Sequence, residues 1–257
     1  MTVIEPPRGA QSTAADRPQR AQTPLRGFVF LAMFYTVTVA MLIAYLPTLA
    51  LPRRFSASGL RLHSRLVTWL FRVTMGVPLQ IEGRHLLPDT PCLIACQHQS
   101  AWDTIALIHM LGDPAIVLKA ELLSLPLYGW FTRKFEMIPI ERGTGTQALR
   151  TMKARAQGAV NAGRHVLIFP EGTRQPPERP FHARAGVAHL YEALDLPCVP
   201  VALNSGWFWP PKGLPSGSTS AQPTLRVRFL APIPPGMARD DFRLQLNAQV
   251  QRALTHN

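Results

Sequence analysis

The stretch QHQSAWDT, residues 97–104, puts His98 five positions before Asp103, directly after the apolar run CLIAC. A histidine oriented by a carboxylate is a general base: one ring nitrogen is held by the acid and the other takes a proton near neutral pH. The spacing suits that chemistry if His98 ends a strand and Asp103 stands in the first turn of the next helix, with both side chains in one cleft. Spacing alone decides little, because eight His and seven Asp in 257 residues supply about 0.2 such pairs by chance. A rarer word is FPEGTR, residues 169–174, which follows the apolar run HVLI. Its chance odds are on the order of one in 10⁵. Ser100 stands beside the histidine as a possible nucleophile, but no G-x-S-x-G occurs, so a serine hydrolase is a poor reading and Ser100 is taken as structural.

The elements that must position these residues follow from composition and periodicity. A chain of 257 residues can bury a sizeable core as one large domain or two small ones. Its 27 Lys and Arg against 15 acids give a net charge of +12 and a pI near 10.8, which points to an anionic partner such as nucleic acid, phospholipid or a phosphorylated cofactor. Only four of the 27 are Lys; the bias fits bidentate phosphate binding and fits a G+C-rich genome equally well. The arginines are scattered and no nucleic-acid-binding signature occurs, so no nucleic-acid partner is expected. Cys92, Cys96 and Cys198 lie in apolar runs without metal-ligand spacing and read as small buried hydrophobes, which favours a reducing compartment.

Residues 1–26 have almost no large apolar side chains and read as a flexible tail. From Phe28 to Leu46, 19 residues carry no charge. As a helix this run is about 28 Å long against a hydrocarbon core of roughly 30 Å, just long enough to span. It is too long and too late for a signal peptide, and arginines on both sides leave its orientation open. Next, Arg61, Arg65, Thr68 and Arg72 form one polar stripe on an otherwise apolar helix, which suits a membrane interface. Residues 27–77 are thus expected to be membrane-associated helices. Beyond Val77, LQIEG, CLIACQH, AIVLK, MIPIE, HVLIFPEG, CVPVAL and LRVRFL read as strands. Helices fit near Thr104–Leu111, Thr146–Asn161, Gly186–Leu194 and Asp240–Ala253, giving an α/β domain over 78–257, with helices packed on a sheet.

HQSAWD (98–103), PIERG (139–143), FPEGTR (169–174) and CVPVALNSG (198–206) stand in the order and approximate spacing of the four blocks of glycerolipid acyltransferases. Together they resemble bacterial 1-acyl-glycerol-3-phosphate acyltransferases, and KAELLSLPLYGWF, NSGWFWPPKG and LAPIPPGM extend the likeness. The resemblance implies a mixed sheet flanked by helices, with an N-terminal membrane-embedded helical module. It implies transfer of a fatty acyl group from acyl-CoA or acyl carrier protein to the free hydroxyl of 1-acyl-glycerol-3-phosphate, giving phosphatidic acid, without metal or redox cofactor. In that scheme His98 is the general base and Asp103 fixes its tautomer. Arg142 and Arg174 hold the acceptor's phosphate, Glu171 orients an arginine or the loop, Gly172 lets the backbone approach the ligand, and Thr173 donates a hydroxyl to the phosphate. Arg184 and Gly186 fall where the family has a basic residue and a glycine opening a helix. The implied location is the bacterial inner (cytoplasmic) membrane, with the catalytic domain facing the cytoplasm and the phospholipid bilayer as a partner.

Gln97, where the family more often has Asn, and Glu141 before the arginine leave another acceptor open, such as a lyso-ornithine lipid. A rival motif, GTGTQA (143–148), fits a dinucleotide fingerprint with Glu171 as the ribose acid and would make the chain a membrane-bound oxidoreductase. WFWPP (207–211) reads as a loop, with the lipid interface as a second placement for its aromatics.

Overall fold

The computed structural model of the protein describes residues 24–141, 145–217 and 224–255. Its strands are β1 Leu79–Glu82, β2 Leu93–Cys96, β3 Ala115–Lys119, β4 Ile138–Ile140, β5 Val166–Ile168, β6 Cys198–Leu203 and β7 Leu225–Phe229. Each lies in an apolar run that reads as a strand. They form one sheet in the order β1-β7-β6-β2-β5-β3-β4, parallel throughout except where β6 meets β7.

The helices are α1 Pro24–Ala44, α2 Arg53–Met75, α3 Ala101–Met110, α4 Tyr128–Lys134, α5 Gly145–Asn161, α6 Ala185–Leu194 and α7 Arg239–Thr255. Successive strand residues point to opposite faces of the sheet, so each strand feeds two cores. Cys92, Ile94 and Cys96 enter the core covered by α1, α2 and α3; Leu93 and Ala95 enter the core covered by α5, α6 and α7. All three cysteines are buried and free.

α3 begins three residues earlier than its apolar periodicity indicates, because Ser100 caps it. The Ser100 hydroxyl accepts the Trp102 amide at 3.1 Å, and the Asp103 carboxylate accepts the Ser100 amide at 2.7 Å. α4 has no counterpart in the sequence reading, since Pro126 and Gly129 signal a loop there.

α1 starts at Pro24, just inside the segment read as a tail, and α2 returns antiparallel to it after a 3₁₀ turn, Leu46–Ala50. Gly59 permits the crossing: a Cβ there would sit 2.3 Å from the Tyr45 ring. Both ends of the hairpin are fastened to the α/β domain. Near the start, the Phe30 ring meets those of Phe71 and Trp209 edge-on, each at 5.2 Å. Near the turn, Arg53 grips Asp113 through bonds of 2.6 and 2.8 Å and reaches the Phe135 carbonyl at 3.2 Å. Trp209 is buried, so WFWPP clasps α1 and is not a lipid-facing loop.

The polar stripe expected on α2 is broken. Thr68 is buried, with its hydroxyl donating to the Ser64 carbonyl at 2.8 Å, while Leu62, Leu66, Trp69 and Val73 face outward among the arginines. α1 likewise exposes Phe28, Met33, Tyr35, Val39 and Ile43. The hairpin therefore buries one apolar face, with Phe30, Val67, Leu70 and Phe71, and turns a second one away from the protein.

Candidate active site

The C-terminal ends of β2, β3, β4, β5 and β6 gather at one edge of the sheet, the place where open α/β sheets bind ligands. His98 follows β2 and Asp103 lies in the first turn of α3. His98 Nδ1 is 3.1 Å from Asp103 Oδ2. A carboxylate accepts, so Nδ1 donates, and in a neutral imidazole that leaves the lone pair on Nε2. The imidazole stacks on Phe169, ring centroids 4.1 Å apart, which fixes its plane.

Asp103 is fully buried, and its oxygens are met by four donors: His98 Nδ1, the amides of Gln99 and Ser100 at 2.7 Å each, and the Ser205 hydroxyl. A buried charge needs such compensation. Ser205 was not singled out from the sequence, although it lies in the block CVPVALNSG. Its signal is a small hydroxyl residue just past the end of β6, which runs parallel beside β2. Asn204 locks that turn to β7 by accepting the Arg226 amide at 2.8 Å.

Glu171 is buried, and its carboxylate accepts the His98 amide at 3.0 Å; of the two roles read for it, an arginine or the loop, it takes the loop's, and it is not among the residues that line the cleft. Burial above all, with the negative charge of Asp103 adding to it, raises its carboxyl to about 7 against the opposing pull of the His98 amide and the Arg179 charge. The same loop clasps His98 a second time, through the Gln175 amide on the His98 carbonyl at 2.8 Å. Gly172, at φ 69, turns the chain between these grips.

The cleft beside His98 is lined by Gly172, Thr173 and Arg174, and also by Arg184, Gly186 and Lys119. Arg184 precedes the first turn of α6. Lys119 was missed; it ends β3 at the same sheet edge as His98, which its position after AIVLK could have indicated. Arg142 lies outside the described residues, as do Gly143 and Thr144 of the dinucleotide-like motif; Glu141 lines the cleft. Glu171, the acid which that rival motif needs, is already engaged by the His98 amide. Gln97 is buried, with its side-chain oxygen toward the Leu203 amide at 3.4 Å, so it braces β6 and is not among the residues that line the cleft. Among the described residues no group of three or more His, Cys, Asp or Glu is placed to hold a metal ion.

An apolar chamber between the hairpin, α3 and α4 adjoins this cleft. The two share Thr104, Ile116, Leu118 and Tyr128.

Residues 52–204, more than half of the chain, match the Acyltransferase family. The chain belongs to the acyltransferase family. A 1-acyl-sn-glycerol-3-phosphate acyltransferase of Pseudomonas aeruginosa is 36% identical over 149 residues, 58% of this chain and 58% of that protein. A lyso-ornithine lipid O-acyltransferase of the same species is 35% identical over 118 residues, 45% of each chain. The alignments thus span about half the length of these curated acyltransferases. The crystal structure of a 1-acyl-sn-glycerophosphate acyltransferase from Thermotoga maritima superposes with a TM-score of 0.71 over 90% of this chain and 97% of that one, at 18% identity. That likeness is one of fold: the same mixed sheet flanked by helices underlies both acyltransferases.

Proposed function

We propose that the protein moves a fatty acyl group from acyl-CoA or acyl carrier protein to the free hydroxyl of 1-acyl-glycerol-3-phosphate, giving phosphatidic acid. The observation that carries this reading is an acid-oriented histidine lining a cleft that also holds Lys119, Arg174 and Arg184. His98 Nε2 takes the hydroxyl proton as the oxygen attacks the thioester carbonyl. When the tetrahedral intermediate collapses, the C–S bond breaks and the imidazolium returns the proton to the leaving thiolate. Asp103 stabilises the imidazolium through Nδ1. The exchange is redox-neutral and transfers the acyl group directly, so it calls for neither a cofactor nor a serine nucleophile. Ser100, buried as the cap of α3, takes no part.

Arg174, Arg184 and Lys119 supply positive charge for the acceptor's phosphate, with Thr173 as a neutral donor. The similarity to a lyso-ornithine lipid acyltransferase keeps a second acceptor in view. The cationic lining favours a phosphomonoester dianion over an ornithine headgroup, whose ammonium it would repel.

The outward apolar face of the hairpin supports a seat for the protein at the membrane. A hairpin fastened at both ends to the α/β domain lies along it and dips its outward apolar face into one leaflet instead of crossing the bilayer. Thioester donors then reach the site from the cytoplasmic side of the inner membrane. The test is an acceptor panel with labelled acyl donor, read by mass spectrometry. Lysophosphatidate should be acylated fastest; faster turnover of a lyso-ornithine lipid would overturn the assignment.

A further inference from the structure

A second element also turns large apolar side chains outward. After β3 the chain passes through a 3₁₀ turn, Ala120–Ser124, into α4, exposing Leu125, Tyr128 and Trp130 by 47%, 39% and 52%. The backbone between them is held under strain. Leu127 sits at φ 60, ψ −56, and the Tyr128 amide donates to the Pro126 carbonyl at 2.6 Å, a γ-turn of the rare hand. Gly129 approaches the backbone of Leu123 so closely that a Cβ would lie 2.1 Å from its carbonyl oxygen. Strain of this kind persists where the surroundings over-determine it, and here it delivers one side chain: Tyr128 lines both the catalytic cleft and the apolar chamber.

The patch is not isolated. α4 packs against the turn of the hairpin and the start of α2, where Leu51 and Phe55 are exposed. Its apolar surface therefore continues that of the hairpin. Cations rim it: the Arg54 guanidinium lies 5.0 Å from the centre of the Phe55 ring, and Arg133 and Lys134 follow in the last turn of α4. Trp and Tyr beside Arg and Lys make up the composition of a protein surface seated in the headgroup layer of an anionic leaflet.

We propose that residues 125–130 form a second membrane contact, inserted in the same leaflet as the hairpin, and that the lysolipid passes from that leaflet into the cleft along Tyr128. This rests on the reading of the acceptor as a membrane lipid. The occupant is an anionic phospholipid surface; a second copy of the chain would be the rival occupant.

The test compares Trp130→Glu and Leu125→Glu with the unmodified protein, using long-chain lysophosphatidate in phosphatidylglycerol-containing vesicles and a short-chain lysophosphatidate that stays monomeric in water. Each variant should lose roughly tenfold or more of the vesicle rate and less than about twofold of the soluble rate. Equal losses on both acceptors, or none on vesicles, would overturn the proposal. So would a fall in oligomeric mass by light scattering with no dependence on acceptor, the result expected if a second copy covers the patch. Quenching by brominated lipid needs no turnover: the unmodified protein should show a quenched component that Trp130→Phe lacks, and its absence would also overturn the contact. If the quenching is present but neither lysophosphatidate is acylated, it is the assigned reaction that fails.

Discussion

Glu171 accepts the backbone amide of His98 at 3.0 Å, while Asp103 accepts the next two amides, Gln99 and Ser100, at 2.7 Å each. Two buried carboxylates from different segments thus hold three consecutive N–H groups. The histidine is positioned from behind by its own backbone as well as through its ring, and none of these three amides is left to donate to a reacting oxygen.

That grip gives Glu171 a pH signature. Its carboxyl titrates near 7 in the folded protein against an ordinary 4.5, so the folded state holds an extra proton between those values. Stability is present at low pH and falls as pH rises from the lower value through the higher one. Glu171→Gln keeps an oxygen for the His98 amide and has no proton to lose. Its melting temperature should lack the decline that the unmodified protein shows between about pH 5 and 7. Glu171→Ala, which orphans the amide, should lose about 1–3 kcal/mol at pH 5, measured by denaturant unfolding, with the deficit shrinking as pH rises through 7.

Ser205→Ala removes one of the four donors to Asp103 and touches nothing in the cleft. The acceptor KM should stay within about twofold while kcat falls roughly tenfold, since the imidazolium is stabilised only as the reaction proceeds. Steady-state kinetics with both substrates varied would separate this outcome from general misfolding, which circular dichroism monitors.

Arg174→Ala should raise the acceptor KM by roughly tenfold or more and leave the donor KM nearly unchanged, as loss of a charged phosphate contact requires. Equal effects on both substrates would assign Arg174 to the structure of its loop.

Trp209 joins Phe30, Phe34 and Phe71 in one aromatic cluster. Trp209→Ala should cost about 3–5 kcal/mol in chemical unfolding and loosen α1, read as faster proteolysis near the N-terminus. A loop lying free at the lipid surface would show neither effect.

Much of this was legible in the sequence because it rests on local pattern. The strands announce themselves as short apolar runs, and the blocks place His98, Asp103, Thr173 and Arg174 after strand ends. What was not legible depends on which segments meet in space. Glu171 reads as orienting an arginine or the loop, and its actual partner, the His98 amide, follows only once the loop after β5 is seen folding under His98. Ser205 gains its partner only because β6 lies beside β2, and Lys119 enters the cleft only because β3 runs parallel to both. Trp209 reads as surface until α1 is laid across it. α4 was missed because Pro126 and Gly129 mark a turn, and the turn is there, but a short helix follows it.

The central claim is that His98 is the base, and His98→Ala in purified, correctly folded protein tests it most directly. With labelled donor and lysophosphatidate, acyl transfer should fall by about 10²–10⁴, or roughly 3–5 kcal/mol of barrier, without change in melting behaviour beyond a few degrees. Transfer retained within about threefold of the unmodified rate would contradict it.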